Sequence, residues 1–261
     1  MDKSQITFNP EFLREGTAIE DFFKPDRIVI GGNDHSKLAV LKELYKSFEA
    51  ELIETDPVSS QLIKYLANTY LPLRLSFVNE ASRLIDYSNG NQKDVLKGVG
   101  LDSRIGSHYF RPSPAWGGSC FPKDLIEVNN FYEDGKVSLP LISNIIESND
   151  IQSNWTVEKL ILLLNAENMN SILLVGAAFK EDTDDLRNSP TLDIYAKLLE
   201  KDVETIIYDE MVELETYNSL ENLEDVDEKT LVVLMYPIKA TLMDKIEIVI
   251  SKTNSILYTP W

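Results

Sequence analysis

The sequence predicts an α/β fold in which a long, mostly helical segment separates two segments that contain β-strands. Runs of consecutive apolar and β-branched residues, typical of buried strands, occur near both ends of the chain. Between them, residues 58–87 carry apolar side chains at helical spacing. We therefore expect three parts, with bounds at residues 1–56, 57–165 and 166–261.

The first part predicts short strands at residues 6–8, 27–30 and 51–54, with a helix over residues 36–48. Three short strands and one helix cannot close a hydrophobic core by themselves. We therefore interpret residues 1–56 as the tail end of an α/β domain rather than a whole one.

The middle part predicts mainly helices. Asp56 and Pro57 supply a helix cap and a first-turn proline, and apolar spacing then continues from Val58 to Tyr87. A helix of this length is too long for one small core, so its apolar stripe suits a homodimer interface. Further helical spacing is expected up to residue 165.

The last part alternates strands and helices, beginning with a strand at residues 172–176 and a helix at residues 191–199. This alternation implies a parallel sheet with right-handed crossovers. Ligands of such sheets bind beyond the carboxyl ends of the strands. Lys180 and Arg187 follow the first of these strands, so we expect both at that edge.

Composition narrows the class of protein. The net charge is −18, from 25 Lys and Arg against 43 Asp and Glu, which argues against general binding to nucleic acid or to an anionic membrane. The sequence shows no apolar run long enough to cross a bilayer. One cysteine and two histidines argue against a zinc site, and a single cysteine excludes an intrachain disulfide and fits the reducing cytoplasm. We expect a cytoplasmic protein without a structural metal.

The single cysteine lies in the sequence Gly-Gly-Ser-Cys-Phe-Pro-Lys-Asp, residues 117–124. The glycines allow a ligand to approach the sulfur closely, and the nearby lysine favours the thiolate, which is the nucleophilic form. The alternative is a buried cysteine that packs as a small hydrophobic residue. The surrounding residues favour the nucleophile.

This stretch resembles the catalytic signature of the nucleotide-sugar 6-dehydrogenases, the UDP-glucose/GDP-mannose dehydrogenase family. Three further stretches resemble motifs of the same family, in the same order. They are Asn-Pro-Glu-Phe-Leu-Arg-Glu-Gly at residues 9–16, Lys-Tyr-Leu-Ala-Asn-Thr-Tyr at residues 64–70, and Gly-Ala-Ala-Phe-Lys at residues 176–180 followed by Thr-Asp-Asp-Leu-Arg at residues 183–187.

The resemblance implies a fold and a reaction. Residues 1–56 would be the remnant of an N-terminal, NAD-binding Rossmann-like domain. A central helical dimerisation domain with one long helix and a C-terminal Rossmann-like, UDP-binding domain would follow. The implied reaction oxidises UDP-glucose to UDP-glucuronate with two NAD.

The resemblance also implies catalytic roles. Cys120 would attack the C6 aldehyde to form a thiohemiacetal, and oxidation would then leave a thioester that water hydrolyses. Lys64 and Asn68 would donate hydrogen bonds to the oxyanion, and Asp124 would orient water or transfer a proton.

Two glutamates of residues 9–16 are candidate bases for thioester hydrolysis, Glu15 first and Glu11 second; both could instead be solvated loop acids. Arg104 would reach the sugar bound to the neighbouring subunit. The substrate-binding residues that the resemblance implies are Phe12, Leu13, Arg104, Tyr109, Gly117 and Lys180.

Cofactor binding is the less complete part of the resemblance. Lys123 and Arg187 would contact NAD, although Arg187 could equally form a surface ion pair with Asp184 or Asp185. The 261 residues contain no Gly-x-Gly-x-x-Gly turn after a strand. We therefore expect this chain to lack most of the NAD-binding domain, to be inactive alone, and to depend on a further polypeptide segment or a separate chain for it.

Two alternatives stay open. The chain could be a redox-incompetent module that dimerises or holds a UDP-sugar, or it could belong to a dehydrogenase for GDP-mannose or an N-acetylated UDP-sugar. Residues 114–116, Pro-Ala-Trp, and residues 235–237, Met-Tyr-Pro, depart from the usual spelling of the family. These departures leave nucleotide affinity less secure than the thiol chemistry.

Overall fold

The computed structural model describes residues 6–133 and 137–260. The chain divides into two compact units, Met1–Tyr70 and Leu71–Trp261, and each is described by itself. The strands are β1 (Thr7–Phe8), β2 (Arg27–Gly32), β3 (Glu51–Thr55), β4 (Ser171–Val175), β5 (Thr205–Tyr208), β6 (Thr230–Leu234) and β7 (Ile256–Tyr258). The α-helices are α1 (Ala18–Phe23), α2 (His35–Tyr45), α3 (Pro57–Tyr87), α4 (Gln92–Gly100), α5 (Phe121–Glu133), α6 (Pro140–Ser143), α7 (Ile145–Ala166), α8 (Pro190–Leu199) and α9 (Ala240–Thr253).

The first unit contains a small mixed sheet in the order β1-β2-β3. β1 is antiparallel to β2, and β2 is parallel to β3. Ile28 and Ile30 of β2 pack against Leu38 of α2, which gives this unit a small core. The predicted strands and α2 are therefore present.

Helix α1 was not predicted, and local hydrogen bonds explain it. Asp21 is buried and accepts hydrogen bonds from the backbone and guanidinium of Arg14 and from the hydroxyl of Thr17. Hydrogen bonds from Arg14 hold the pKa of the Asp21 carboxyl well below its usual range. Arg14, which lies within residues 9–16, thereby holds the following helix α1 through Asp21.

Helix α3 is one long central helix, as the sequence predicts. It begins where Asp56 Oδ1 accepts hydrogen bonds from the backbone N–H groups of Val58 and Ser59, at 2.9 and 3.0 Å. These caps satisfy two of the N–H groups that a helix leaves free at its start. Large apolar side chains remain exposed along the helix: Val58, Leu62, Leu66, Tyr70, Phe77, Leu84 and Tyr87.

The second unit contains the predicted parallel sheet, in the order β5-β4-β6-β7. Every residue of the two central strands, β4 and β6, is buried. Helices α7 and α8 contribute to the core on one side of the sheet, and α9 contributes to the core on the other. Helix α9, which was not predicted, supplies the crossover that parallel strands β6 and β7 require.

No helix in the described ranges 6–133 and 137–260 is both long and apolar enough to span a membrane.

Candidate active site

The cysteine of residues 117–124 lies at the start of α5. The backbone N–H of Asp124 donates to the carbonyl of Cys120 at 3.0 Å, which makes Cys120 the N-cap of this helix. Its thiol is exposed, with the Ser119 hydroxyl 3.7 Å from Sγ. The positive end of the helix dipole favours an anion at this position. The alternative of a buried, packing cysteine is therefore wrong.

One turn into α5, Asp124 turns its carboxylate inwards. The side chain is 6% exposed, and the ammonium of Lys123 lies 3.4 Å from Oδ1. Lys123 itself is 72% exposed. A buried carboxylate next to the thiol-bearing N-cap is suitably placed to orient a water molecule or accept a proton.

The two glycines before the thiol are required by close contacts with the last part of the chain. A Cβ on Gly117 would lie 1.9 Å from the carbonyl oxygen of Asn188. Gly118 has φ +94°, and a Cβ there would lie 2.9 Å from the Phe179 ring. The cysteine turn therefore packs directly on the segment that carries Phe179 and Asn188.

Trp116, just before the glycines, is held by two helices. The side chain of Asn149 in α7 accepts from the Trp116 backbone N–H at 2.9 Å and donates to the Trp116 carbonyl at 2.8 Å. The indole N–H donates to the hydroxyl of Ser76 in α3 at 2.9 Å. Trp116 is 7% exposed, so these bonds lie largely away from water.

The same helices hold the residues immediately upstream. Asn79 of α3 accepts from the Ser113 N–H at 2.8 Å, and Gln152 of α7 donates to the Ser113 carbonyl at 2.9 Å. Thr156 donates to the Pro114 carbonyl at 2.8 Å. These polar residues were not predicted from the sequence. Their signal was present, because Asn149, Gln152 and Thr156 recur at helical spacing among apolar residues.

Lys180 lies at the carboxyl edge of the second sheet, where the sequence places it. It follows β4, and its ammonium lies 5.4 Å from the centroid of the Phe179 ring. The same ring lies close to Gly118, where a Cβ would be 2.9 Å from it. Phe179 therefore contacts both the Lys180 ammonium and the glycine two positions before Cys120.

The turn that follows β4 is closed by two side chains. Asp209 accepts from the Ala177 N–H at 2.7 Å and from the Tyr236 hydroxyl at 2.9 Å. A Cβ on Gly176 would lie 2.6 Å from the Tyr236 ring. Burial and the Asp209 carboxylate raise the pKa of Tyr236. The Tyr236 ring thus packs directly against the glycine turn after β4.

The two cations that the resemblance assigns to NAD both have acidic neighbours. Arg187 makes a two-pronged ion pair with Asp185, with Nε at 2.9 Å and Nη2 at 2.8 Å, and its side chain is 67% exposed. The pairing with Asp185 is one of the two that the sequence allowed. Both Lys123 and Arg187 could reach a ligand from the surface, but the described residues form no glycine-rich phosphate cradle for NAD.

Arg104 and Tyr109 lie in a loop after α4. Arg74 of α3 holds this loop by donating to the carbonyls of Ile105 and Gly106, at 2.8 and 2.6 Å. Arg104 pairs with Asp102 while 86% of its side chain stays exposed. Hydrogen bonds from Arg104 lower the pKa of the Asp102 carboxyl. The exposed guanidinium is available to a molecule that approaches from outside this chain.

In the first unit, residues 9–16 contact the start of α3. The ammonium of Lys64 donates to the backbone carbonyl of Glu11 at 2.7 Å and lies 3.0 Å from Glu11 Oε1. It also lies 5.5 Å from the Phe12 ring centroid, over which the guanidinium of Arg27 stacks at 3.7 Å. Lys64, Glu11 and Phe12 are therefore brought together.

The remaining predicted residues of the first unit differ in exposure. Glu11 also accepts from the Leu13 backbone N–H at 2.7 Å, while the Leu13 side chain is exposed. Glu15 is half-buried. Asn68, one turn after Lys64 on α3, is 9% exposed. Glu15 and Glu11 both stay candidates for the base.

The described residues contain no cluster of three or more His, Cys, Asp or Glu side chains that could hold a metal ion.

Known proteins resemble this chain along most of its length. Models of three domains of the UDP-glucose/GDP-mannose dehydrogenase family match it: the NAD binding domain at residues 2–49, the central domain at residues 58–151 and the UDP binding domain at residues 173–254.

Two curated relatives illustrate the level of identity. UDP-glucose 6-dehydrogenase of Rickettsia conorii (strain ATCC VR-613 / Malish 7) is 41% identical over 206 residues, which are 78% of this chain and 48% of that protein. UDP-glucose 6-dehydrogenase TuaD of Bacillus subtilis (strain 168) is 37% identical over 204 residues, 78% of this chain and 44% of that protein. The chain thus spans about half the length of the curated relatives it matches.

Solved structures agree. A UDP-glucose dehydrogenase from Pyrobaculum islandicum superposes with a TM-score of 0.79 at 33% identity, over 88% of this chain and 55% of that chain. A UDP-D-ManNAc dehydrogenase from Pyrococcus horikoshii superposes with a TM-score of 0.83 at 21% identity, over 97% of this chain and 60% of that chain, which shows the shared fold. By its domains and its curated relatives, the chain belongs to the UDP-glucose/GDP-mannose dehydrogenase family.

Proposed function

We propose that this chain is the catalytic and substrate-binding portion of a UDP-glucose 6-dehydrogenase. The observation that carries the proposal is the exposed thiol of Cys120 at the N-terminus of α5, in a turn packed against the segment that bears Lys180. Relatives named UDP-glucose 6-dehydrogenase support the choice of UDP-glucose as substrate.

In this proposal Cys120 is the nucleophile. Its sulfur bonds to C6 of the aldehyde, the aldehyde oxygen becomes the oxyanion, and a thiohemiacetal results. Oxidation converts this adduct to a thioester, and water then releases the carboxylate and the free thiol. Asp124, buried one turn along α5, orients the water or takes its proton.

Lys64 and Asn68 are proposed as donors to the oxyanion, and Glu15 as the base for hydrolysis. Lys64 contacts Glu11, so residues 9–16 and the start of α3 are brought together within the first unit. Lys180 is proposed to bind the diphosphate of the nucleotide; its contact with the Phe179 ring, which also packs close to Gly118, supports this role.

NAD is the proposed oxidant of the complete protein. The described residues offer it the exposed cations Lys123 and Arg187 but no glycine-rich turn, and the Tyr236 ring packs against the glycine turn after β4. The proposal for this chain therefore concerns the thiol and the sugar nucleotide, with the dinucleotide-binding portion supplied by a longer form of the protein or by a separate chain.

A second candidate is a module that holds a UDP-sugar without redox chemistry, and the missing glycine-rich turn favours it for the 261 residues alone. Formation of NADH from UDP-glucose, measured with excess protein and with Cys120→Ser as the control, tests whether the 261 residues alone carry out the redox chemistry. We expect no turnover from the 261-residue chain. Turnover that Cys120→Ser abolishes would show that this chain holds NAD by itself and is an enzyme unaided.

We also propose a homodimer. Exposed apolar side chains recur along α3, and a surface of this kind usually marks an interface. Arg104 would then reach the site of the partner subunit from its exposed loop.

A further inference from the structure

Asn188 connects the nucleotide side of the candidate site to the thiol turn. Its side-chain amide donates to the carbonyl of Gly118 at 3.1 Å, and its backbone carbonyl accepts from the N–H of Gly118 at 3.4 Å. One residue therefore makes both backbone hydrogen bonds of Gly118. Gly118 stands two positions before Cys120.

The backbone of Asn188 is suited to this geometry. Its φ is +49°, in the left-handed region where asparagine is among the few residues that occur readily. Its carbonyl oxygen lies 1.9 Å from where a Cβ of residue 117 would stand, so this arrangement requires glycine at 117.

Hydrogen bonds join the segment that carries Asn188 to the turn that carries Lys180. The Phe179 N–H donates to the Asp185 carbonyl at 3.1 Å, and the hydroxyl of Ser189 donates to the Ala177 carbonyl at 2.5 Å. The Phe179 ring lies 5.4 Å from the Lys180 ammonium and close to Gly118, where a Cβ would be 2.9 Å from it. A ligand that draws in Lys180 therefore acts on a segment that is bonded to the thiol turn.

We propose that Asn188 is a positioning residue that fixes the Cys120 turn to the Lys180 segment, so that a diphosphate bound at Lys180 orders the turn that presents the thiol. The part that concerns the ligand rests on the proposed function. The part that concerns the turn rests on the hydrogen bonds alone.

Hydrogen–deuterium exchange of peptides that cover residues 113–124, in the 261-residue chain without ligand, tests the second part. We expect Asn188→Asp, which cannot donate to Gly118 when ionised, and Asn188→Gly, which keeps the left-handed backbone but has no amide, to speed exchange at least threefold. Asn168, an exposed left-handed asparagine at the end of α7, provides the control, and Asn168→Gly should leave this segment unchanged.

Rescue separates a positioning role from a general loss of stability. Asn188→His carries a donor, Nδ1, at the same distance from the backbone and tolerates the left-handed conformation. We expect it to restore exchange to within twofold of the original chain. Exchange in Asn188→Asp and Asn188→Gly that equals the Asn168→Gly control would overturn the proposal.

UDP is the ligand used to test the part of the proposal that concerns the diphosphate. UDP should slow exchange of residues 113–124 in the original chain, whereas in Asn188→Asp it should bind with a Kd within threefold, by titration calorimetry, yet slow exchange far less. Asn149→Asp should speed exchange from the α7 side but keep the response to UDP. If Asn188→Asp keeps the full response, the coupling is refuted. If UDP does not bind the original chain, the proposed function fails, while the ligand-free comparison still decides the role of Asn188.

Discussion

The side chain of Asn149 makes both backbone hydrogen bonds of Trp116, accepting from its N–H at 2.9 Å and donating to its carbonyl at 2.8 Å. An amide side chain is matched to a peptide group in this way, since it has one donor and one acceptor side by side. The pairing fixes the backbone just ahead of the cysteine turn. It ties that turn to α7, a long helix of the same compact unit.

Loss of the two hydrogen bonds between Asn149 and Trp116 should destabilise the second unit. Asn149→Ala leaves two backbone groups of a buried residue without partners, and each such group costs about 1–3 kcal/mol. We expect the free energy of unfolding, from urea titration, to fall by about 2–6 kcal/mol. Asn154→Ala, an exposed asparagine on the same helix, should change it by less than about 0.5 kcal/mol. Equal effects of the two substitutions would contradict this role of Asn149.

Gly117 should not tolerate a side chain. Gly117→Ala places a Cβ on the Asn188 carbonyl, and the backbone must move away from it. We expect a loss of about 1–3 kcal/mol in the free energy of unfolding, typical of overpacking. Gly98→Ala provides the matched control, because Gly98 lies within α4 with nothing within 4 Å of the new Cβ, and it should be neutral or stabilising by up to about 1 kcal/mol.

The structure also predicts how stability depends on alkaline pH. Burial, with a contribution from Asp86, raises the pKa of Tyr258 to about 12 from the model-compound value of 10.0. Because the folded state holds the phenolic proton more tightly, the associated stability is complete below pH 10 and is lost between pH 10 and about 12. Tyr236, also with a raised pKa, contributes in the same direction.

Urea titrations at several pH values between 9 and 12 measure this dependence. Tyr258→Phe has no proton to release, so its free energy of unfolding should fall less steeply above pH 10 than that of the original chain. Tyr87→Phe, at an exposed position, should not alter the slope. An unchanged slope in Tyr258→Phe would show that this phenol is not held neutral by the fold.

The exposed apolar residues of α3 predict self-association. Light scattering at micromolar concentration should give the mass of a dimer. Leu66→Glu places a charge among those residues and should shift the mass towards that of a monomer, whereas Leu162→Glu, an exposed position on α7, should not. A monomer at every concentration would remove the interface and the proposed contribution of Arg104 to the partner's site.

Much of the fold could be predicted because the apolar runs and helix-capping residues in the sequence match the strands and helices of the structure. β4 reads Ser-Ile-Leu-Leu-Val, and a run of this kind can be buried on both faces only as a central parallel strand. The start of α3 could be predicted because Asp56 and Pro57 are residues that begin helices for known reasons. By contrast, α1 depends on a contact between Asp21 and Arg14, and no periodic pattern in the sequence predicts that contact.

In the candidate site, too, some residues could be predicted from the sequence and others could not. Cys120, Lys180 and the acidic residues of 9–16 stand in recognisable motifs, so the sequence points to them. Asn149 and Asn188 act through partners 33 and 70 positions away in the chain. A lone asparagine has no sequence pattern that reveals such a contact, because it depends on how α7 and the segment after β4 pack on the cysteine turn.

The central claim is that the Cys120 thiol serves a sugar-nucleotide site. The measurement that tests it most directly is the rate of iodoacetamide labelling of Cys120, by intact mass, with and without UDP-glucose. We expect Cys120 of the native protein to be labelled, and UDP-glucose to slow labelling severalfold. Lys180→Ala should remove this protection, whereas Lys201→Ala, at an exposed position after α8, should keep it. A thiol that labels at the same rate with or without UDP-glucose would contradict the assignment of substrate, and one that labels only after denaturation would contradict the nucleophile itself.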